Sequence, residues 1–365
     1  VIYAVLFAAT SAVVGVIWDI SWHRSIGRDT FWTPAHLAIY LSGVVAGTTC
    51  GWLVLRTTFA GTAAQRAAGV SFWGFRGPLG AWLCIWGAIA MIVSAPFDDW
   101  WHNAYGLDVK VLSPPHSLLA LGFTAIQLGA LLMVVARQNR ASGDERRLPW
   151  LVAYGMGVLL CNVYIMGFEY ITFPNDMHKA LFYQIGAAVF PLILVAGARA
   201  TRLRWPATTA AAVYMGIHLV MIWILPLFRA TPMLAPIYTP LTHMVPPPFP
   251  IVMVLPALAV DLTLHALRGR SDWLQAPAAG VAFLLVLFAV QWTLSSFLIS
   301  PASENAFFGE QRWNYNSRPG PWHHEFWDQG TSLVTPLALL IAAALATASA
   351  RIGFWWGGWM ARVQR

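Results

Sequence analysis

Residues 78–97 read PLGAWLCIWGAIAMIVSAPF, twenty residues without a charge, and run directly into Asp98-Asp99-Trp100-Trp101-His102. Twenty mainly apolar residues coiled as a helix reach about 30 Å, the thickness of a bilayer's hydrocarbon core. The stretch is therefore expected to cross a membrane and to deliver two carboxylates and an imidazole to one face. Past Asp108 the chain turns back at Ser113-Pro114-Pro115-His116 into a second apolar run. Proline in the first turn pre-sets the helical φ and lacks only an N–H that the helix does not use there.

The same length rule, applied outward, gives about ten spans, near 2–19, 36–56, 78–97, 116–137, 150–170, 178–198, 207–227, 248–267, 275–299 and 330–350. Composition agrees: of 365 residues, 58% are hydrophobic and 10% charged, against about 25% charged in a soluble domain. The expected fold class is all-α, a polytopic integral membrane helical bundle. Residues 1–365 are read as a single membrane domain of repeated helical hairpins, at about 1–56, 78–137, 150–198 (a degenerate copy), 207–267 and 275–350. A lipid bilayer is its first partner. The chain opens on Val1-Ile2-Tyr3-Ala4, already apolar, so the first span is expected to begin at or just before it. No cleavable signal pattern is read there.

The connections alternate in charge. One set carries Arg56, Arg66 and Arg76, then Arg137, Arg140, Arg146 and Arg147, then Arg199, Arg202 and Arg204, then Arg268 and Arg270, and last Arg351, Arg362 and Arg365. These are 15 of the 22 basic residues, and their clustering between spans marks a cytoplasmic side rather than a nucleic-acid surface. The other set holds 11 of the 15 acids and eight of the ten histidines. In a bacterium that acidic face is the periplasmic side of the inner (cytoplasmic) membrane. Cys50, Cys84 and Cys161 each lie inside an apolar run without CxxC pairing and are read as packing residues.

The acids and imidazoles recur in a pattern. The first acidic connection reads Trp18-Asp19-Ile20-Ser21-Trp22-His23, then Arg28-Asp29-Thr30, then Thr33-Pro34-Ala35-His36. The second carries Asp98-Asp99-Trp100-Trp101-His102, then Asp108, then His116, and the paired histidines stand 79 and 80 residues apart. Singly, each such residue at a membrane face is a capping or interfacial residue. The matched trio, repeated, points to a metal. Asp19 and His23 are four residues apart and share a helix face, and His36 opens the returning helix. Imidazole suits copper, zinc, iron or nickel, and the carboxylate supplies charge balance. The expected ligands are Asp19, His23 and His36 in one hairpin, and Asp98 or Asp99, His102 and His116 in the other. Trp22, Trp32 and Trp101 are read as walls against water, with Asp29 and Asp108 behind the ligands. A possible third site comprises Glu169, Asp176 and His178, without a counterpart of His102.

The run Asp19-x2-Trp22-His23-x4-Arg28-Asp29-Thr30-x2-Thr33-Pro34-x-His36, followed by Tyr40, resembles the signature of the C subunit of particulate methane and ammonia monooxygenases. The resemblance to this copper membrane monooxygenase family is strong over residues 18–40, and residues 97–120 echo it loosely. It implies copper at Asp19, His23 and His36. It also implies a multi-subunit oxidoreductase that hydroxylates a small substrate with dioxygen. Partner membrane subunits and a subunit with a soluble copper-binding domain follow from it. The family's subunit is shorter and carries the motif once. Its Asn-x3-His is missing here, Asn162 being followed at that spacing by Met166.

The same ligands suit a non-catalytic subunit that holds or passes metal within a membrane complex. A b-type haem would use two of His36, His116 and His178, but the neighbouring acids are unusual partners for it. A transporter would carry its ionisable groups at mid-membrane. There the sequence offers His218, and near a basic end the pair Asp261–His265. His323-His324-Glu325, among Trp313, Trp322 and Trp327, reads as an aromatic-ordered loop, and Pro246-Pro247-Pro248 beside His243 as a rigid extended lid.

Overall fold

A computed structural model describes residues 1–106, 113–141, 145–168, 177–233, 241–312 and 333–364. Asp108, Glu169, Asp176 and the stretch from Trp313 to Asp328 lie outside them, so the expectations placed there have no structural counterpart.

The chain is an all-α membrane protein. Among the described residues nine helices are long and apolar enough to cross a bilayer. Eight of these are α1 (Ile2–Ser25), α2 (Pro34–Ala60), α4 (Leu79–Tyr105), α5 (Pro114–Arg140), α6 (Arg147–Phe168), α7 (Ala180–Ala200), α8 (Pro206–Ile224) and α10 (Asp272–Leu298). The ninth is α11 (Pro336–Met360). Large apolar side chains such as Trp52, Leu121, Leu285 and Leu340 stand exposed along them, the surface that lipid requires.

The span expected at 248–267 is replaced by a short helix, α9 (Val254–Ala266), preceded by extended chain. Pro246, Pro247, Pro248 and Pro250 explain the difference, since proline inside a helix clashes with the preceding turn and removes a donor. Nor is this segment a lid: residues 244–250 are buried. A second departure is a short helix, α3 (Ala63–Ala68), followed by a hairpin of β1 (Val70–Phe72) and β2 (Phe75–Gly77) between α2 and α4.

The described residues group into two compact units, whose boundaries fall within α1, α6 and α11 and between Asp29 and Thr30. One comprises Val1–Val16, Thr30–Leu159 and the C-terminal residues from Trp359, and the other Ile17–Asp29 and Leu160–Gly358. In the first, α4 and α5 touch backbone to backbone. A Cβ at Gly80 would strike the Gly129 carbonyl, one at Gly87 the Gly122 carbonyl, and each partner glycine is blocked in return. Glycines seven residues apart on both helices form a continuous seam, the small-residue packing that holds helices together where lipid gives no hydrophobic drive. Next to this seam, Gly47 of α2 meets Ala88 of α4.

In the second unit α11 packs the same way. Gly353 and Gly357 abut the carbonyls of Leu192 and Ala196 in α7, while Gly280 of α10 abuts Ala346. The end of α1 is clipped to the extended segment: the Val245 amide donates to Ser25 Oγ (2.7 Å), and Ser21 Oγ donates to the Val245 carbonyl. Met233 N adds a bond to the Ile26 carbonyl at 2.9 Å.

Candidate metal centre

In the second hairpin, Asp98 and His102 occupy one face of the last turns of α4, as their four-residue spacing requires. His116 is in the first turn of α5, where Ser113 caps the helix by accepting the His116 amide on its hydroxyl (3.3 Å). The glycine seam sets the two helices in register. Asp98 Oδ1 then lies 3.7 Å from His102 Nε2 and 3.5 Å from His116 Nε2, so two imidazoles share one carboxylate oxygen. No hydrogen bond reaches His102 Nε2, which is buried. Asp99 is not part of this group: its carboxylate and carbonyl accept from Asn103 Nδ2, on the exposed side of α4. Trp101 packs along its own helix, between Phe97 and Tyr105, rather than over the histidines.

In the first hairpin, His23 Nε2 lies 3.7 Å from Asp19 Oδ2 and 3.7 Å from Asp29 Oδ2. Asp29 therefore stands level with Asp19, and not behind it as the sequence reading has it. Gly27, at φ +82°, reverses the chain after α1. Trp22 fixes the return by donating its indole N–H to the Arg28 carbonyl (2.9 Å). Trp22 thus positions the residue next to Asp29. Trp32 is exposed and packs edge-on against Phe31.

His36 belongs to the other unit, where its Nδ1 is 2.9 Å from the Thr30 carbonyl. A carbonyl only accepts, so Nδ1 carries the proton and Nε2 keeps the lone pair a metal would use. Thr33 Oγ1 accepts the Thr30 amide (2.8 Å) and so holds this carbonyl's loop in place.

The remaining candidates have other partners. His178 Nε2 contacts the Trp292 carbonyl and Ser296 Oγ, both at 3.3 Å, with its ring against Trp292. Asp261 caps α8, accepting from the amides of Ala207 (3.2 Å) and Thr208 (2.8 Å) and from Thr208 Oγ1 (2.8 Å). His265 bonds the Asp261 carbonyl rather than its carboxylate (2.6 Å) and packs on Trp205. That pair is a helix cap. His218 donates from Nδ1 to the Tyr214 carbonyl (3.0 Å) between the rings of Tyr164 and Tyr214. His243 pairs with Arg229 in an isolated bridge and has Thr242 Oγ1 at 3.0 Å. Cys50, Cys84 and Cys161 are buried and free, in keeping with a packing role.

Among the described residues no three His, Cys, Asp or Glu side chains form a ready-made metal cage. At Asp98 the donors are the right kinds, a carboxylate oxygen and two imidazole nitrogens meeting at one atom. No family model, no curated protein and no solved structure matches the chain.

Proposed function

We propose that this chain is a copper-binding membrane subunit, similar to the C subunit of copper membrane monooxygenases. In this reading it works within a multi-subunit oxidoreductase that hydroxylates a small substrate with dioxygen. The observation that carries the reading is the convergence of His102 and His116 on one oxygen of Asp98. Further support comes from the signature over residues 18–40, whose Asp19, His23 and His36 are the copper ligands that the resemblance implies. Zinc or iron would accept these donors as well, and copper is preferred on the resemblance.

Bound copper would supply the one-electron chemistry that activates dioxygen. The chain's own residues do the rest. Asp98, His102 and His116 would hold the ion in one hairpin, and Asp19, His23 and Asp29 would offer ligands in the other. The Thr30 carbonyl fixes the tautomer of His36, and the glycine seam holds α4 against α5. Apolar helices give a small apolar substrate a route through lipid, and partner subunits, including one with a soluble copper-binding domain, complete the assembly.

The missing Asn-x3-His favours a second reading, a subunit that holds metal without catalysis. X-ray absorption of the copper-loaded protein tests the shared claim: a first shell of nitrogen and oxygen supports it, and a sulfur-dominated shell contradicts it. Oxygen uptake by membranes holding the chain and its partner subunits separates the two readings. Uptake that rises with a small hydrocarbon or ammonia supports the enzyme, and uptake indifferent to both supports the holder.

A further inference from the structure

The hairpin of β1 and β2 closes through Trp73 and Gly74, at φ +47° and +83°. Two central residues with positive φ mark the type I′ turn, which Asn-Gly adopts readily and a bulky residue does not. Trp73 is held in this conformation although its side chain is 82% exposed. A strained backbone under an exposed indole is unexplained by the core, and such strain concentrates where a side chain serves a function.

The direction of the indole identifies its surroundings. Trp73 lies 6.1 Å from Trp86 between ring centroids, and Phe72 lies 5.2 Å from the same ring. Trp86 is eight residues into α4, which begins at Leu79, so it sits roughly 10 Å along that helix. The hairpin therefore folds back alongside a membrane-spanning helix instead of extending away from it. It is fixed in that pose. Gly77 leaves no room for a Cβ against Val54, Thr58 Oγ1 accepts the Arg76 amide (2.8 Å), and Trp82 Nε1 donates to the Val70 carbonyl (3.3 Å).

The exposed neighbours match the boundary of a bilayer. Phe59 is 75% exposed and meets Phe75 edge-on at 6.1 Å. Beside them stand Arg66 and Arg76, whose guanidinium groups, among the described residues, bond to the carbonyls of Gly61 (2.5 Å) and Arg66 (3.3 Å). From residue 30 to residue 97 the sequence has no Asp or Glu, so the hairpin and the helices on either side of it up to residue 97 bring no acid to offset these arginines. Tryptophan prefers the headgroup level, and arginine near it attracts anionic phosphodiesters.

We propose that the hairpin Val70–Gly77 is a membrane-interface anchor that inserts Trp73, Phe75 and Phe59 into the headgroup layer while Arg66 and Arg76 engage the phosphates of anionic phospholipid. The test is a nitroxide label at Trp73→Cys in the full-length protein, reconstituted in vesicles of phosphatidylglycerol and phosphatidylcholine. Electron paramagnetic resonance then compares its collisions with oxygen and with a water-soluble nickel chelate. Insertion gives oxygen collisions in excess of chelate collisions. The ratio is expected to shift toward the chelate when Arg66→Gln and Arg76→Gln are added. Because Trp73→Cys alters the turn, a label at Phe75→Cys provides the same reading from a regular strand position. Excess chelate collisions at both sites would overturn the proposal in favour of a water-exposed loop. Protection from both reagents would overturn it in favour of a protein partner or a second copy of this chain. A ratio unmoved by the arginine substitutions would remove the phosphate contact.

Discussion

His116 Nε2 lies 3.5 Å from Asp98 Oδ1, across two helices whose backbones meet at Gly87 and Gly122. The glycines lie in the same seam as the site and set its register. Any side chain at Gly87 must displace the Gly122 carbonyl, which belongs to a hydrogen-bonded helix and cannot move alone.

Gly87→Val is therefore expected to cost about 1–3 kcal/mol in stability, the usual range for overpacking. It should also lower metal binding at Asp98, because parting the helices parts His116 from the carboxylate. Gly51→Ala, with open space around its Cβ position, should leave both unchanged or slightly improved. Thermal unfolding and metal content of the two variants, measured side by side, check the contrast.

Asp29 and Asp99 should exchange the roles their sequence positions suggest. Asp29→Asn is expected to weaken metal binding at the first hairpin about 10- to 100-fold, as loss of a ligand or its direct support does. Asp99→Asn should leave metal binding at the second hairpin unchanged, since its carboxylate faces Asn103. Metal titration of each variant checks both expectations.

Asp261 supplies the missing partners for two amides and a hydroxyl at the start of α8. Asp261→Ala leaves those donors buried and is expected to destabilise the protein by about 2–4 kcal/mol. Thr208→Val removes one of the three bonds and should cost about 1 kcal/mol. Unfolding in detergent should show this order, with metal content per folded molecule unaffected.

The clip between α1 and the extended segment gives a local prediction. Ser25→Ala deprives the Val245 amide of its acceptor, so exchange of that amide with solvent deuterium should accelerate far more than the average. Exchange at α4 and α5 should stay as it is.

Much of the fold was legible because length and apolarity alone decide a membrane span. The failure at 248–267 is instructive. Pro248 and Pro250 stand among Phe249, Ile251, Val252 and Met253, so a reading by apolar length runs through them, yet proline cannot build a helix interior. The hairpin at Trp73 was missed because three-residue strands are too short for periodicity, and Trp-Gly is not a usual type I′ pair.

At the site, spacing placed Asp98 and Asp99 both near His102, four and three residues away, and only the packing of α4 against α5, which brings Asp98 to His116, separated them. Asp29 was out of reach of such reasoning. Its return to His23 depends on the backbone at Gly27 and on an indole hydrogen bond, neither of which sequence spacing encodes. The glycine pairs at 80 and 87 and at 122 and 129 were a readable signal for the seam, once antiparallel pairing of those helices was assumed.

The measurement that bears most directly on the convergence at Asp98 is the metal stoichiometry of purified protein, compared between wild type, His116→Ala and Asn103→Ala. Asn103 is one residue beyond His102 on α4 and its side chain donates to Asp99 rather than to the histidines, so its loss controls for disturbance of the helix end. The account predicts that His116→Ala lacks one metal equivalent while Asn103→Ala keeps the wild-type content. Equal metal in all three, in well-folded protein, would contradict it.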